Sequence, residues 1–189
     1  MEFIGFRKIP RFSREVIITE KIDGTNAQIY IPELEGILDV PFMVGSRTRW
    51  ITPETDNHGF AKWCYDNVDE LLALGPGRHF GEWWGSGINR GYGLKKGEKR
   101  FSLFDVRKWY GCAPKCCDVV PTIWRGILDS DEIDRQMQLL NINGSVAAPG
   151  FMNPEGIVIY HIAGNVFFKK TLGDDGHKGE KYEKDNKMV

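Results

Sequence analysis

One lysine, Lys21, lies at the junction of two apolar segments in the stretch VIITEKIDGTNAQIYI, and a lysine amine is a nucleophile once it has lost its proton. Asp23 and Gly24 follow it, and Asp-Gly is a favoured pair in the tight turn of a β-hairpin. Asn26 completes the pattern K-x-D-G-x-N. A plain hairpin with a solvated lysine explains this turn on its own, so other motifs must decide whether the lysine does chemistry.

Further motifs follow in order along the chain. They are VGSRTRW (44–50), HFGEWWGSGINRGYG (79–93), RFSLFDV (100–106), PEGIVIY (154–160) and FFKKTL (167–172). Together with K-x-D-G-x-N, this ordered set resembles the ATP-dependent RNA ligase family, in particular the phage nick-sealing type, within the superfamily of covalent lysine nucleotidyltransferases. The resemblance covers about residues 15–172.

The resemblance implies an adenylyltransferase that uses ATP with Mg²⁺ or Mn²⁺. Lys21 would attack the α-phosphate of ATP and hold AMP, which then moves to an RNA 5′-phosphate before a 3′-hydroxyl displaces it and seals the strand. The implied substrates are RNA ends or a nicked duplex. Three alternatives stay open: a DNA ligase, a GTP-dependent capping-type enzyme, and a binding module that retains the pocket without catalysis.

The family's nucleotide contacts map onto several positions of this sequence. Glu20 would lie at the adenine edge, although in an alternating strand it could equally face water. Asn26 would contact phosphate, with an Asx turn as its alternative, and Glu82 would bind the ribose. Phe104 would stack on the base instead of filling a core, and Ile22 joins the cofactor-binding set.

The last two motifs supply charged groups. Glu155 begins a strand, and its carboxylate is the main candidate to hold a hydrated divalent ion. Lys169 and Lys170 depart from the family's alternating K-x-K pair, and neighbouring residues on a strand face opposite ways. We therefore expect Lys169 to face the pocket with Lys170 as the alternative, and the second lysine to come from the tail, as with Lys178, or to be absent.

Contacts with RNA are expected from several cations, one of which, Arg47, is also predicted to bind the nucleotide. The planar guanidinium of Arg47 suits a phosphate or a strand terminus, with Arg49 a weaker candidate. Segment 86–99 combines glycines and cations with Tyr92, which could stack on a base, although an ordinary solvated loop is the competing interpretation. The predicted RNA-binding residues are Arg47, Arg90, Lys95 and Lys96.

The elements that must position these residues are mostly short strands. Alternating or β-branched segments predict strands at 16–20, 27–31, 42–46, 78–84, 101–109, 156–161 and 165–171. Helical spacing predicts one helix within 57–75 and a second, capped by Asp129 or Ser130, that ends before Gly144. The pattern favours an α+β fold with antiparallel sheets and flanking helices, the ATP-grasp-like adenylyltransferase domain of ligases, without a C-terminal accessory domain. Residues 1–172 would form this domain and residues 173–189 a charged, flexible tail.

Composition limits the remaining possibilities. The 189 residues are 41% hydrophobic and 27% charged with a net charge of −1, typical of a globular domain, and no apolar run is long enough to span a membrane. The N-terminus lacks signal-peptide features, so a cytoplasmic location is expected. We also expect a monomer, with an accessory RNA-binding protein as a candidate partner. The four cysteines, three of them in CAPKCC, do not match the spacing of a zinc site.

Overall fold

A computed structural model describes residues 2–6, 8–33 and 40–173. The predicted tail at 173–189 lies outside the described residues except for Gly173. Within these residues, no helix has the length and apolar character needed to cross a membrane.

Ten strands form two sheets in the described part of the chain, so the predicted strand-rich α+β class is confirmed. The strands are β1 (Glu15–Lys21), β2 (Thr25–Ile31), β3 (Met43–Ser46), β4 (Trp50–Ile51), β5 (Gly77–Gly85), β6 (Lys99–Leu103), β7 (Asp118–Val119), β8 (Thr122–Ile127), β9 (Gly156–His161) and β10 (Val166–Thr171). The smaller sheet has the order β10-β9-β1-β8, and the larger has the order β4-β3-β2-β5-β6-β7. All pairs are antiparallel except β6 with β7.

The helices are short apart from one. They are α1 (Phe60–Asp66), α2 (Val68–Leu72), α3 (Val106–Trp109) and α4 (Ser130–Asn143). The single helix predicted within 57–75 is wrong, because Asn67 has a φ of −124° and a ψ of 30° and divides it into α1 and α2. The second prediction is confirmed: the Asp129 side chain accepts from the Asp131 N–H, and Gly144 ends α4.

The prediction of a strand over 101–109 is also wrong for the residues after Leu103. β6 ends at Leu103, and the Asp105 carboxylate accepts hydrogen bonds from the backbone N–H groups of Arg107 and Lys108. This N-cap satisfies donors at the start of α3, so local side-chain bonding overrides the apolar pattern. Phe104 consequently lies in the connection between β6 and α3.

Separate apolar clusters support the two sheets. One lies between the larger sheet and α1 and α2, and contains Phe60, Leu71 and Phe101. Another lies between the smaller sheet and α4, and contains Met137 and Ile157. Each sheet thus buries one face against its helices, and its other face borders a cleft between the two sheets.

The cysteines divide between core and surface. Cys64 and Cys117 are buried, and burial raises the pKa of both thiols. Cys116 is half-buried and Cys112 is exposed. Among the residues that the structure describes, no cluster of His, Cys, Asp and Glu is arranged to hold a metal ion.

Candidate active site

A cavity of about 580 Å³ lies between the two sheets. One wall comes from the smaller sheet and includes Ile17, Thr19, Lys21, Val158, Tyr160 and Phe167. The other comes from the larger sheet and the segment after it, and includes Asn26, Arg78, Phe80, Glu82 and Phe104. The volume falls within the range of small-molecule pockets, which is roughly 300–1,000 Å³.

Lys21, which lines this cavity, forms an ion pair with Glu155. Lys21 Nζ lies 2.5 Å from Glu155 Oε2, and the two side chains are 25% and 18% exposed. Lys21 is the last residue of β1 and pairs with Gly156 of β9, so Glu155 lies directly beside the end of β1. A Cβ atom on Gly156 would lie 2.2 Å from the Lys170 carbonyl oxygen, so the neighbouring strand β10 requires glycine there.

Glu82 holds the turn that follows Lys21. Its carboxylate accepts hydrogen bonds from the Gly24 backbone N–H at 3.0 Å and from Asn26 Nδ2 at 2.8 Å. Burial raises the pKa of Glu82 to about 7, although the bonds from Asn26 and Gly24 and the charge of Lys21 oppose that rise. The carboxyl group is therefore partly protonated near neutral pH.

Gly24 explains the glycine of the K-x-D-G-x-N motif. A Cβ atom at this position would lie 2.4 Å from the Trp83 carbonyl oxygen and 2.7 Å from Trp84 Cβ. The turn can therefore pack against β5 only when residue 24 has no side chain. This close approach brings Asn26 and Glu82 into the same cross-strand pair.

Asp23 is held by the loop that follows β5. Its carboxylate accepts from Arg90 Nε at 3.0 Å and from Asn89 Nδ2 at 2.8 Å. The Asp23 backbone N–H donates to the Tyr92 hydroxyl at 2.8 Å. Asp23 thus orients the turn through hydrogen bonds with the loop.

The prediction that Tyr92 stacks on RNA is wrong. Tyr92 is buried, packs against Trp84 and Phe151, and burial raises the pKa of its hydroxyl. Its φ of 51° lies in the left-handed region, and Asn89 is also left-handed. The sequence alone could not reveal that these conformations turn the aromatic ring inward.

Arg90 joins the motif turn to the segment that carries Glu155. Besides Asp23, its guanidinium donates to the Asn153 carbonyl and Oδ1 at 3.1 and 2.9 Å and to the Pro154 carbonyl at 3.3 Å. Lys95 and Lys96, predicted with Arg90 as RNA contacts, are exposed at the far end of the loop. The structure therefore separates Arg90, which is engaged internally, from these two lysines.

Glu20 does not face water. It is 1% exposed, and its carboxylate accepts from Ser145 Oγ at 2.6 Å and from the N–H groups of Val146 and Ala147, each at 2.8 Å. Sequence reasoning missed segment 145–147, because its role depends on backbone donors that any residue type other than proline could supply. Glu20 and Ile22 both contribute to the lining of the cavity.

Phe104 and Lys169 are placed on the side of the two sheets that borders the cleft. Phe104 lines the cavity and remains 38% exposed, and its N–H donates to the Phe80 carbonyl. Lys169 pairs with Val158, a residue of the cavity wall, and directly paired residues lie on the same face of a sheet. Lys170 pairs with Ile157 on the opposite face and forms an ion pair with Asp134 of α4.

Arg47 lies in the turn between β3 and β4, outside the cavity lining. Its side chain is exposed, and within the described part of the chain no hydrogen bond or ion pair holds its guanidinium. It is therefore available to a ligand that extends beyond the cavity.

The fold is that of the nucleotidyltransferase domain of RNA ligases. Similar solved structures are those of Naegleria gruberi RNA ligase. A variant with ATP and manganese matches with a TM-score of 0.61 and 18% identity, over 85% of this chain and 50% of that chain. A variant with AMP and manganese and the ligase with pyrophosphate each match with a TM-score of 0.59 and 19% identity, over 85% and 84% of this chain, respectively, and 50% of theirs. This chain thus spans about half the length of those chains. A search of curated proteins found no match.

The sequence itself shows the family. A sequence model described as RNA ligase matches residues 14–171, a range that contains the motifs named above except for Leu172 at the end of the last one. The chain therefore belongs to the RNA ligase family.

Proposed function

We propose that the chain is an ATP-dependent RNA ligase in which Lys21 is the covalent nucleophile. The observation that carries this proposal is the position of Lys21, which lines a cavity of about 580 Å³ and whose Nζ lies 2.5 Å from Glu155 Oε2. Membership of the RNA ligase family supports it, as do the ATP, AMP and pyrophosphate complexes of Naegleria gruberi RNA ligase.

The proposed reaction has three displacements at phosphorus. Neutral Lys21 Nζ forms a bond to the α-phosphorus of ATP, the bond to the bridging oxygen breaks, and pyrophosphate leaves. An RNA 5′-phosphate oxygen then attacks the phosphorus of lysyl-AMP and releases Lys21. Finally, an RNA 3′-hydroxyl attacks the 5′-phosphorus, loses its proton, and releases AMP.

Glu155 is the nearest group that can accept the proton from the Lys21 ammonium. The same carboxylate offers an oxygen ligand to a divalent ion, which fits Mg²⁺ or Mn²⁺ because such ions use one or two carboxylates together with substrate phosphates and water. The ion would neutralise phosphate charge when it is bound. Lys169, on the cavity face of β10, supplies further positive charge from the protein.

The nucleoside would lie between the two walls of the cleft. We assign the base to the space between Phe104 and Val158, which line opposite walls, with Ile22 and Glu20 at its border. Glu82 and Asn26 bind the ribose and the phosphates of the nucleotide. The hydrogen bond between their side chains is then replaced by hydrogen bonds to the ligand. Arg47 contacts the RNA, because it is exposed outside the cavity.

Incubation with α-labelled ATP or GTP and magnesium, followed by denaturing electrophoresis, tests the proposal. Retained label from ATP is expected, and label from GTP alone would instead indicate a capping-type enzyme. Label from neither nucleotide would indicate a non-catalytic binding module. Sealing of nicked RNA compared with all-DNA nicks then tests the substrate, because equal sealing of both would contradict the RNA assignment.

A further inference from the structure

An exposed group of aromatic rings lies beside the cleft on the same face of the larger sheet. Register pairs Arg78 with Tyr30, and Phe80 with Gln28. Gln28 also pairs with Gly45 of β3, and Gly45 pairs with Trp50 of β4 at the edge of the sheet. We call the surface formed by Tyr30, Trp50, Arg78 and Phe80 the aromatic platform.

Arg78 organises the platform. Its guanidinium lies 4.8 Å from the centroid of the Tyr30 ring and 5.3 Å from that of the Trp50 ring. One of its nitrogens donates to Gln28 Oε1 at 3.2 Å. These contacts hold the rings in place before any ligand arrives, which reduces the entropic cost of binding.

Gly45 allows Trp50 to lie across the sheet. A Cβ atom at Gly45 would be 3.1 Å from Trp50 Cε3 and 2.8 Å from Gln28 Cγ. The indole therefore covers the space that a side chain at residue 45 would occupy. Trp50 nevertheless remains 41% exposed, and Phe80 is 50% exposed.

The two faces of this sheet differ sharply. On the opposite face, Ala27, Ile29 and Val44 are buried in the core. Aromatic side chains left open on the platform gain no such burial, and exposed apolar groups beside polar ones mark interaction sites. Trp50 is also the only exposed tryptophan in the chain, and every tryptophan lies within the described residues.

The charge of the platform favours a polyanion. Arg78 belongs to it, and Arg47 and Arg49 lie in the turn that leads to Trp50. Over residues 2–6, 8–33 and 40–173, none of these guanidinium groups forms an ion pair with a carboxylate. Phosphates can therefore approach these guanidinium groups without displacing a paired carboxylate.

We propose that the aromatic platform binds a single-stranded segment of the RNA substrate by base stacking. This inference rests on the proposed function, because Arg78 and Phe80 belong both to the platform and to the lining of the nucleotide cleft. That continuity gives RNA lying on the platform a direct path to Lys21. Unpaired RNA is the expected occupant, since its bases can expose their faces to aromatic rings, whereas the bases of a duplex are stacked on each other.

Trp50→Ala is the sharpest test, because Trp50 does not line the nucleotide cavity. The probe is a short fluorescein-labelled single-stranded RNA, and binding is measured by anisotropy. We expect at least about fivefold weaker binding for Trp50→Ala, and recovery in Trp50→Phe, because a phenyl ring restores the stacking surface. Phe168→Ala is the matched control, since Phe168 is an exposed aromatic residue of the other sheet, and its removal should leave binding unchanged.

Intrinsic fluorescence gives a second measurement that does not depend on how well the alanine variant folds. The same RNA without its label should quench the emission of the wild-type protein, and this quenching should shrink in Trp50→Phe. The proposal for the platform would be overturned if Trp50→Ala bound RNA as tightly as the wild type. It would also be overturned if the variant lost equal affinity for single-stranded RNA and for a blunt RNA duplex. Covalent labelling by ATP separates the two proposals: its absence in the wild-type protein contradicts the ligase mechanism, whereas normal labelling with unaltered RNA binding contradicts the platform alone.

Discussion

Arg90 and Asp23 are joined by an ion pair in which Nε lies 3.0 Å from Oδ2, and the same guanidinium bonds to the Asn153 and Pro154 carbonyls. One side chain therefore ties the turn that follows Lys21 to the segment that precedes Glu155. The ion pair of Lys21 with Glu155 depends on the relative position of these two segments.

Arg90→Ala should slow the formation of lysyl-AMP by about 10- to 100-fold, because small misplacements of a reacting group are costly. Arg90→Lys should recover part of the rate, since an ammonium can reach Asp23 but lacks the planar fork that spans both segments. The rate is measured by single-turnover labelling with ATP. Lys95→Ala, in the exposed part of the same loop, is the control, and equal rates for Arg90→Ala and Lys95→Ala would refute the positioning role.

Gly24→Ala should destabilise the protein by about 1–3 kcal/mol, because the new methyl group would collide with backbone of β5. Urea unfolding measures this change, and Gly173→Ala provides a control at a glycine with no atom within 4 Å of the added Cβ. A Gly24→Ala variant as stable as the control would show that the turn does not need its close contact with Trp83.

Glu82→Gln should change the pH dependence of stability. Since the folded protein raises the pKa of Glu82 from 4.5 to about 7, the carboxyl group favours folding below pH 4.5, and that contribution is lost as the pH rises toward 7. The free energy of unfolding falls by about 3 kcal/mol through this titration. The neutral amide of glutamine does not titrate, so the variant shows no such fall.

The measurement for Glu82 is urea unfolding of both proteins without nucleotide from pH 4.5 to 8. The stability of Glu82→Gln relative to the wild type should improve over this interval, while the titration of other groups largely cancels in the comparison. Parallel curves for the two proteins would show that burial does not perturb Glu82 in the proposed way.

Glu155→Gln should raise the concentration of divalent ion needed for covalent labelling, because the amide loses the charge that would bind the ion and accept the lysine proton. Labelling is measured across a magnesium titration and again with manganese. Glu98→Gln, in an exposed ion pair with Arg100, is the control. A titration midpoint that coincides with the wild type would remove Glu155 from metal binding.

Local patterns in the sequence predicted most of the strands around the site. The segment at 156–161 coincides with β9, and 27–31 and 78–84 differ from β2 and β5 by one or two residues at their ends. The sequence pattern does not predict β8, because it is an edge strand in which no residue is buried, so its apolar alternation is weak. Long-range partners lie beyond any local pattern: Arg90 contacts residues 67 and 63 positions away, and Glu20 contacts Ser145 across 125 positions.

Peptide mapping shows whether Lys21 carries the nucleotide. The protein is incubated with ATP and magnesium, digested under alkaline conditions that preserve a phosphoramidate bond, and examined by mass spectrometry alongside Lys21→Ala. We expect one adenylylated peptide with AMP on Lys21, and none in the variant, which should retain the wild-type circular dichroism spectrum. Adenylylation of another lysine, or of the Lys21→Ala protein, would contradict this expectation.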